Sequence, residues 1–199
     1  MTDIINSIVV LLNFVIIPGL SYGSQLALGA LGVTFVYAIL RFANFAHGEL
    51  MSFGAMITIL FTWFFQSQNI GLGIFPTALI ALPFGILATI ILGLLSDKFV
   101  FKYYRKQKSV PVVLAMVSIG VMFVVNAIIR IIVGTETIKF SDGQKFIMKA
   151  KQFKMITGLN EGLALKSSQV ITILITIVLL SFTFWFLQKT KTGKSMRAF

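Results

Sequence analysis

Apolar residues along this chain come in long blocks that are hydrophobic on every face, with short polar punctuation between them. A block that apolar does not fit one face of an amphipathic helix, and about 20 such residues make a helix that crosses a bilayer. The first block runs from Ile4 to Ile17 and stops at Pro18-Gly19. It is short for a full span, and a tilted helix, an interfacial helix and an uncleaved signal-anchor all fit it. Further helices are predicted from Tyr22 to Leu40, Gly48 to Phe65, Leu72 to Leu95, Pro111 to Val133 and Ser168 to Leu187. Pro83 is expected to bend the fourth block, because it removes a donor and clashes with the preceding turn. Pro111 suits the first turn of its helix. The fold class is therefore an all-α integral membrane protein with five or six transmembrane helices.

Charge sits between the blocks. The segment "DKFVFKYYRKQKS", residues 97–109, holds five basic residues and one acid, and the tail "KTKTGKSMRAF" holds four basic residues and no acid. With Arg41 to His47, these segments are expected inside, since short cytoplasmic loops collect lysine and arginine. The long segment 134–167 is then an external loop, although it carries six lysines and three acids. Around Lys145 to Ile156 its pattern leaves open a short hairpin, an amphipathic surface helix or a plain solvated connection. Small residues recur at helical spacing on two helices: Gly23, Ala27, Ala30, Thr34 and Ala38 on one, Gly48, Ser52, Ala55, Thr58 and Thr62 on the next. Such faces let membrane helices approach closely.

Composition adds exclusions. The 199 residues are 57% hydrophobic and only 12% charged, with a mean hydropathy of +0.95. The net charge of +11 would suggest nucleic acid in a soluble chain. Here the clustering of cations between apolar blocks assigns it to topology, and no nucleic-acid partner is expected. With no cysteine and one histidine, disulfides, thiolate chemistry and multi-histidine metal sites are excluded.

One polar break stands out: "RFANFAHGEL", Arg41 to Leu50. Asn44 can accept unpaired amides ahead of the next helix. Glu49 falls in its first turn, and Arg41 at the end of the preceding helix, each favoured there by the helix dipole. Gly48 allows an unusual dihedral or a close approach. The stretch thus reads as a capped turn. A competing reading has Asn44, His47 and Glu49 lining a path or forming a hinge between broken helices, as transporters do. A His–Glu pair beside Ser52, without oxyanion or substrate signature, does not make an enzyme.

The run "GSQLALGALGVTFVYAILRFANFAHGELMSFGAM" closely resembles the start of branched-chain amino-acid ABC transporter permeases. Thr34, Val36, Tyr37, Asn44, Phe45, Ala46, His47, Gly48 and Glu49 match the family's T-x-V-Y and I-N-F-A-H-G-E patterns, with Ala43 in place of the isoleucine. The end, "KTKTGKSMRA", is similar to the family's approach to a cytoplasmic segment. The resemblance covers about Gly19 to Arg197 and extends to relatives that import urea and amides. It implies a permease bundle of an ATP-driven importer for hydrophobic amino acids in the bacterial inner membrane. The implied partners are a second homologous permease, two cytoplasmic ATPases and an external solute-binding protein. No G-x-x-x-x-G-K-[ST] loop is present, so ATP would be bound by the partner ATPases and no cofactor by this chain. Because such permeases continue past Phe199, the 199 residues are expected to form a single permease domain incomplete at its C-terminus. A truncated, non-transporting membrane fragment is the alternative.

Two further polar residues, Asn126 and Arg130, lie four apart on the fifth helix, with Ser118 further back. Arg130 either snorkels to the interface or joins Asn126 on the path of a zwitterionic substrate. Trp63 and Trp185 read as interface anchors.

Overall fold

The computed structural model describes residues 2–70, 75–135, 140, 142, 146–191 and 193. These divide into two compact units, one of residues 1–32, 72–76 and 141–199, the other of residues 33–71 and 77–140. Among the described residues five helices are long and apolar enough to cross a membrane: Ile4–Leu40, His47–Ser67, Ala78–Lys106, Pro111–Val133 and Ser167–Lys189. Most of their apolar side chains face outward, which is stable where lipid or neighbouring helices replace water.

The first two predicted helices are one. α1 (Thr2–Leu11) passes through a π turn at Leu12–Ile16 into α2 (Ile17–Leu40). The predicted stop at Pro18-Gly19 does not occur. In the π turn Ile17 N–H bonds to Leu12 O, five residues back. That wider turn lies just ahead of Pro18, whose missing N–H and bulky ring would otherwise break a four-residue ladder. The helical run from Ile4 to Leu40 is 37 residues, well beyond the roughly 20 a span requires.

Within the first unit, Asn6 Oδ1 accepts the Glu161 amide at 3.4 Å and Asn13 Oδ1 accepts the Ala164 amide at 3.2 Å. Two asparagines on a mostly apolar helix thus pair with a connecting segment rather than with lipid. That segment is neither wholly hairpin nor wholly helix. β1 (Phe146–Met148) pairs antiparallel with β2 (Leu165–Lys166). α7 (Ala150–Thr157) lies between them. Gly158 ends α7 in the left-handed conformation, φ 69°. Gly162 packs so closely on α7 that a Cβ there would meet Ala150 O at 2.5 Å. α8 (Ser167–Lys189) follows β2 without a break, and Gln169 Oε1 accepts the Lys166 amide at its start.

In the second unit, α3 (His47–Ser67) packs on α4 (Ala78–Ser96). Gly54 and Gly85 face one another, and a Cβ on Gly85 would fall 2.7 Å from Gly54 O. Thr58 and Thr89 return their hydroxyls to the Gly54 and Gly85 carbonyls at 2.8 and 2.9 Å. Their protons are therefore spent inside their own helices, and each hydroxyl oxygen sits over the glycine of the opposite helix. Thr58 of the predicted small face belongs to this contact and Thr62 is fully buried, whereas Gly23, Ala30, Thr34 and Ala38 on α2 are exposed. Pro83 lies within α4.

The predicted inner loop 97–109 is mostly helix. α4 continues through a π turn at Asp97–Phe101 into α5 (Lys102–Lys106). Arg105 spans the π turn with a bidentate bond to Asp97, at 2.6 and 2.8 Å. α6 (Pro111–Val133) follows with Pro111 in its first turn. The core of this unit joins Phe42, Ala46, Phe101, Leu114, Val121 and Val125, and so lies directly beneath the polar break.

Candidate functional site

The polar break begins where α2 ends. Arg41 takes the left-handed conformation at φ 59°, and its amide bonds back to Tyr37 O at 2.9 Å. The sequence places this conformational freedom at Gly48, but Gly48 is an ordinary helical residue with open space around its Cβ position. The chain reverses at Arg41 because the next side chain, Phe42, must turn inward. Phe42 is buried against Phe101, with ring centroids 5.7 Å apart. Ala46, four residues on, is 0% exposed. These two buried apolar residues tie the break to α4–α6.

The polar residues manage the amides that these anchors strand. Asn44 Oδ1 accepts the Ala46 amide at 3.1 Å, closing an Asx turn just ahead of α3. Asn44 does not cap α3 as expected: Ala46, two residues on, occupies the N-cap with no side-chain cap bond, and Asn44 serves that residue's own amide instead. The Phe45 amide reaches across to α6 and donates to Ser118 Oγ at 3.0 Å. Ser118 is fully buried; its hydroxyl donates to Ala115 O at 2.6 Å and lies 3.4 Å from Ala43 O. The shorter of those two is the bond the single proton makes. Glu49 stands in the first turn of α3, where the helix dipole favours it.

These contacts leave a cleft of about 450 Å³ open on one side of the turn. It is lined by Val33, Thr34, Val36, Tyr37, Ala43, Asn44, Phe45, His47 and Gly48. Its size lies in the range of small-molecule sites. The lining alternates apolar side chains with a hydroxyl, a phenol, an amide and an imidazole. That set can both donate and accept hydrogen bonds, without a fixed charge in its wall.

A model of the family described as branched-chain amino acid transport system, permease component, matches residues 15–199. The chain belongs to that family. No curated protein and no solved structure matches it. Seven of the nine residues matching the permease family's sequence pattern line this cleft; Ala46 lies in the core and Glu49 outside the lining.

The other two sequence candidates lie elsewhere. Arg130 Nε donates to Asn126 Oδ1 at 2.7 Å, on a solvent- or lipid-facing part of α6. Arg130 is twelve residues beyond Ser118, about 18 Å along the helix, and neither residue lines the cleft. Beside them, a second groove of about 270 Å³ between α3 and α6 is almost wholly apolar and includes Trp63. Among the described residues no cluster of histidine, aspartate and glutamate is arranged to hold a metal ion. Ser118 is the important residue that sequence reasoning did not connect to the break. Its signal was a lone hydroxyl in an apolar helix, which must find a partner.

Proposed function

We infer that the permease forms part of the translocation path of an ATP-driven importer for branched-chain and other hydrophobic amino acids. The observation that carries this reading is the convergence of Thr34, Tyr37, Asn44 and His47 on one cleft at a helix–turn–helix junction. A zwitterion needs donors and acceptors for its ends, and an aliphatic side chain needs contacts such as Val33, Val36 and Phe45. The turn is held by Phe42, Ala46 and Ser118 on one side and leaves the cleft open on the other. Such a junction can present its polar groups in one state and withdraw them in another as α2 and α3 move. ATP binds to two cytoplasmic ATPase subunits, and this chain holds no nucleotide. A second homologous permease completes the path, and an external solute-binding protein delivers the substrate.

In the bacterial inner membrane, the turns at 41–46 and 107–110 and the end of α8 face the cytoplasm in this reading. With five spans, the N-terminus and segment 134–166 face outward together. The Asn6 and Asn13 bonds to Glu161 and Ala164 support this pairing. The test is reconstitution in proteoliposomes with the ATPases and binding protein. ATP-dependent uptake of leucine, isoleucine or valine is expected, with none by the permease alone. Uptake by the permease alone would instead mark a channel or secondary carrier.

A further inference from the structure

The first unit carries a surface that the transport path does not use. Met155 and Ile156 on α7 are 71% and 78% exposed, and with Ile147 and Met148 they wall a shallow apolar cleft of about 380 Å³. At 100° per residue, Gln152, Met155 and Ile156 form one arc of α7, with Lys151 flanking it beside Met155 and Lys154 on the other side. Residues 146–166 hold four lysines, Lys149, Lys151, Lys154 and Lys166, and one acid, Glu161. All four lysines are exposed.

The position of this element decides what meets it. β2 runs straight into α8, a membrane-spanning helix. β1 is paired to β2 with Phe146 opposite Lys166, whose ammonium lies 5.9 Å from the Phe146 ring centroid. α7 begins two residues after β1. The exposed apolar arc and its lysines are therefore fastened at the mouth of a transmembrane helix, where lipid headgroups lie.

We propose that α7 and β1 form an interfacial membrane-docking element. Met155, Ile156 and Ile147 enter the headgroup–acyl boundary, and Lys149, Lys151 and Lys154 engage anionic phospholipid headgroups. An amphipathic helix with lysines beside large apolar residues binds interfaces in this way, by apolar burial together with attraction to anionic lipid. The element holds the start of α8 at a set depth, and its electrostatic part weakens as salt shortens the screening length.

The chain lacks cysteine, so Met155→Cys and Ile156→Cys each carry a single environment-sensitive fluorophore without background. The full chain is placed in nanodiscs of phosphatidylglycerol and phosphatidylcholine. The expected result is blue-shifted emission, quenched by a lipid-borne nitroxide and protected from aqueous iodide. In all-phosphatidylcholine nanodiscs, or with Lys149, Lys151 and Lys154 all changed to Gln, the emission should shift back to the red. Emission at both sites that iodide quenches and the lipid nitroxide does not, in either lipid, overturns the proposal. So does shielding that appears only when a soluble binding protein is added, which would make this a protein-docking face.

Discussion

Replacing Ser118 by alanine removes the acceptor that the Phe45 amide meets at 3.0 Å. The serine hydroxyl also donates to Ala115 O, but that carbonyl is inside α6 and keeps its helical partner. The change therefore reduces to one stranded amide in the turn ahead of α3. Leaving a buried donor unsatisfied costs about 1–3 kcal/mol. The Phe45 side chain is exposed, so some water reaches the turn and places the expected loss near the lower end, about 1–2 kcal/mol. Ser118→Val should cost more, because it adds bulk at a fully buried position. Two measurements separate this account from a general loosening of α6. Equilibrium unfolding in mixed micelles should show the stability loss. Native-state hydrogen exchange should show the Phe45 amide exchanging roughly five- to thirtyfold faster, with amides in the middle of α6 less affected. Asn44→Ala frees the neighbouring Ala46 amide, so the double variant should depart from additivity by about 0.5 kcal/mol or more. Unchanged exchange at Phe45 in Ser118→Ala would refute the assignment of Ser118 as the anchor of the turn.

Gly85→Ala should lower stability by about 1–3 kcal/mol, since its Cβ must push α3 from α4. Gly93→Ala in the same helix, where a Cβ meets nothing within 4 Å, should be neutral or stabilising by up to about 1 kcal/mol; thermal unfolding of the two variants compares them directly. Asp97→Asn should change stability by less than about 1 kcal/mol, because the Arg105 pair is exposed, and the difference should shrink in high salt. A cysteine at Gln107 should be labelled only from the cytoplasmic side in intact cells; labelling from outside would reverse the orientation.

The spans are legible in the sequence because lipid demands long apolar blocks, and no partner is needed to recognise them. Their ends are less so. Pro18 reads as a stop only while a four-residue ladder is assumed, and the π turn at Leu12–Ile16 removes that assumption. The lysines of 97–106 read as a loop, yet backbone pairing continues past the last apolar turn and Arg105 clamps it to Asp97. At the site, Glu49 in the first turn and Asn44 as an amide acceptor follow from local chemistry. The Ser118–Phe45 bond joins residues 73 apart in the chain, and no local pattern encodes it. The left-handed residue is Arg41 rather than Gly48 because burial of Phe42, a tertiary demand, sets where the chain turns. Asn126 and Arg130 satisfy each other, an ordinary pairing at i, i+4 that their spacing already permits.

The central claim is that the cleft beside Asn44 and His47 carries substrate, and its most direct test is uptake by the assembled transporter, normalised to membrane-inserted protein. His47→Ala and Asn44→Ala should each cut the rate by about tenfold or more, the factor given by losing roughly 1.4 kcal/mol of hydrogen bonding at the transport barrier. Asn126→Ala, outside the cleft, should transport at a near-normal rate. Near-normal uptake by both His47→Ala and Asn44→Ala at unchanged assembly would contradict the account and leave the polar break as a turn between two helices.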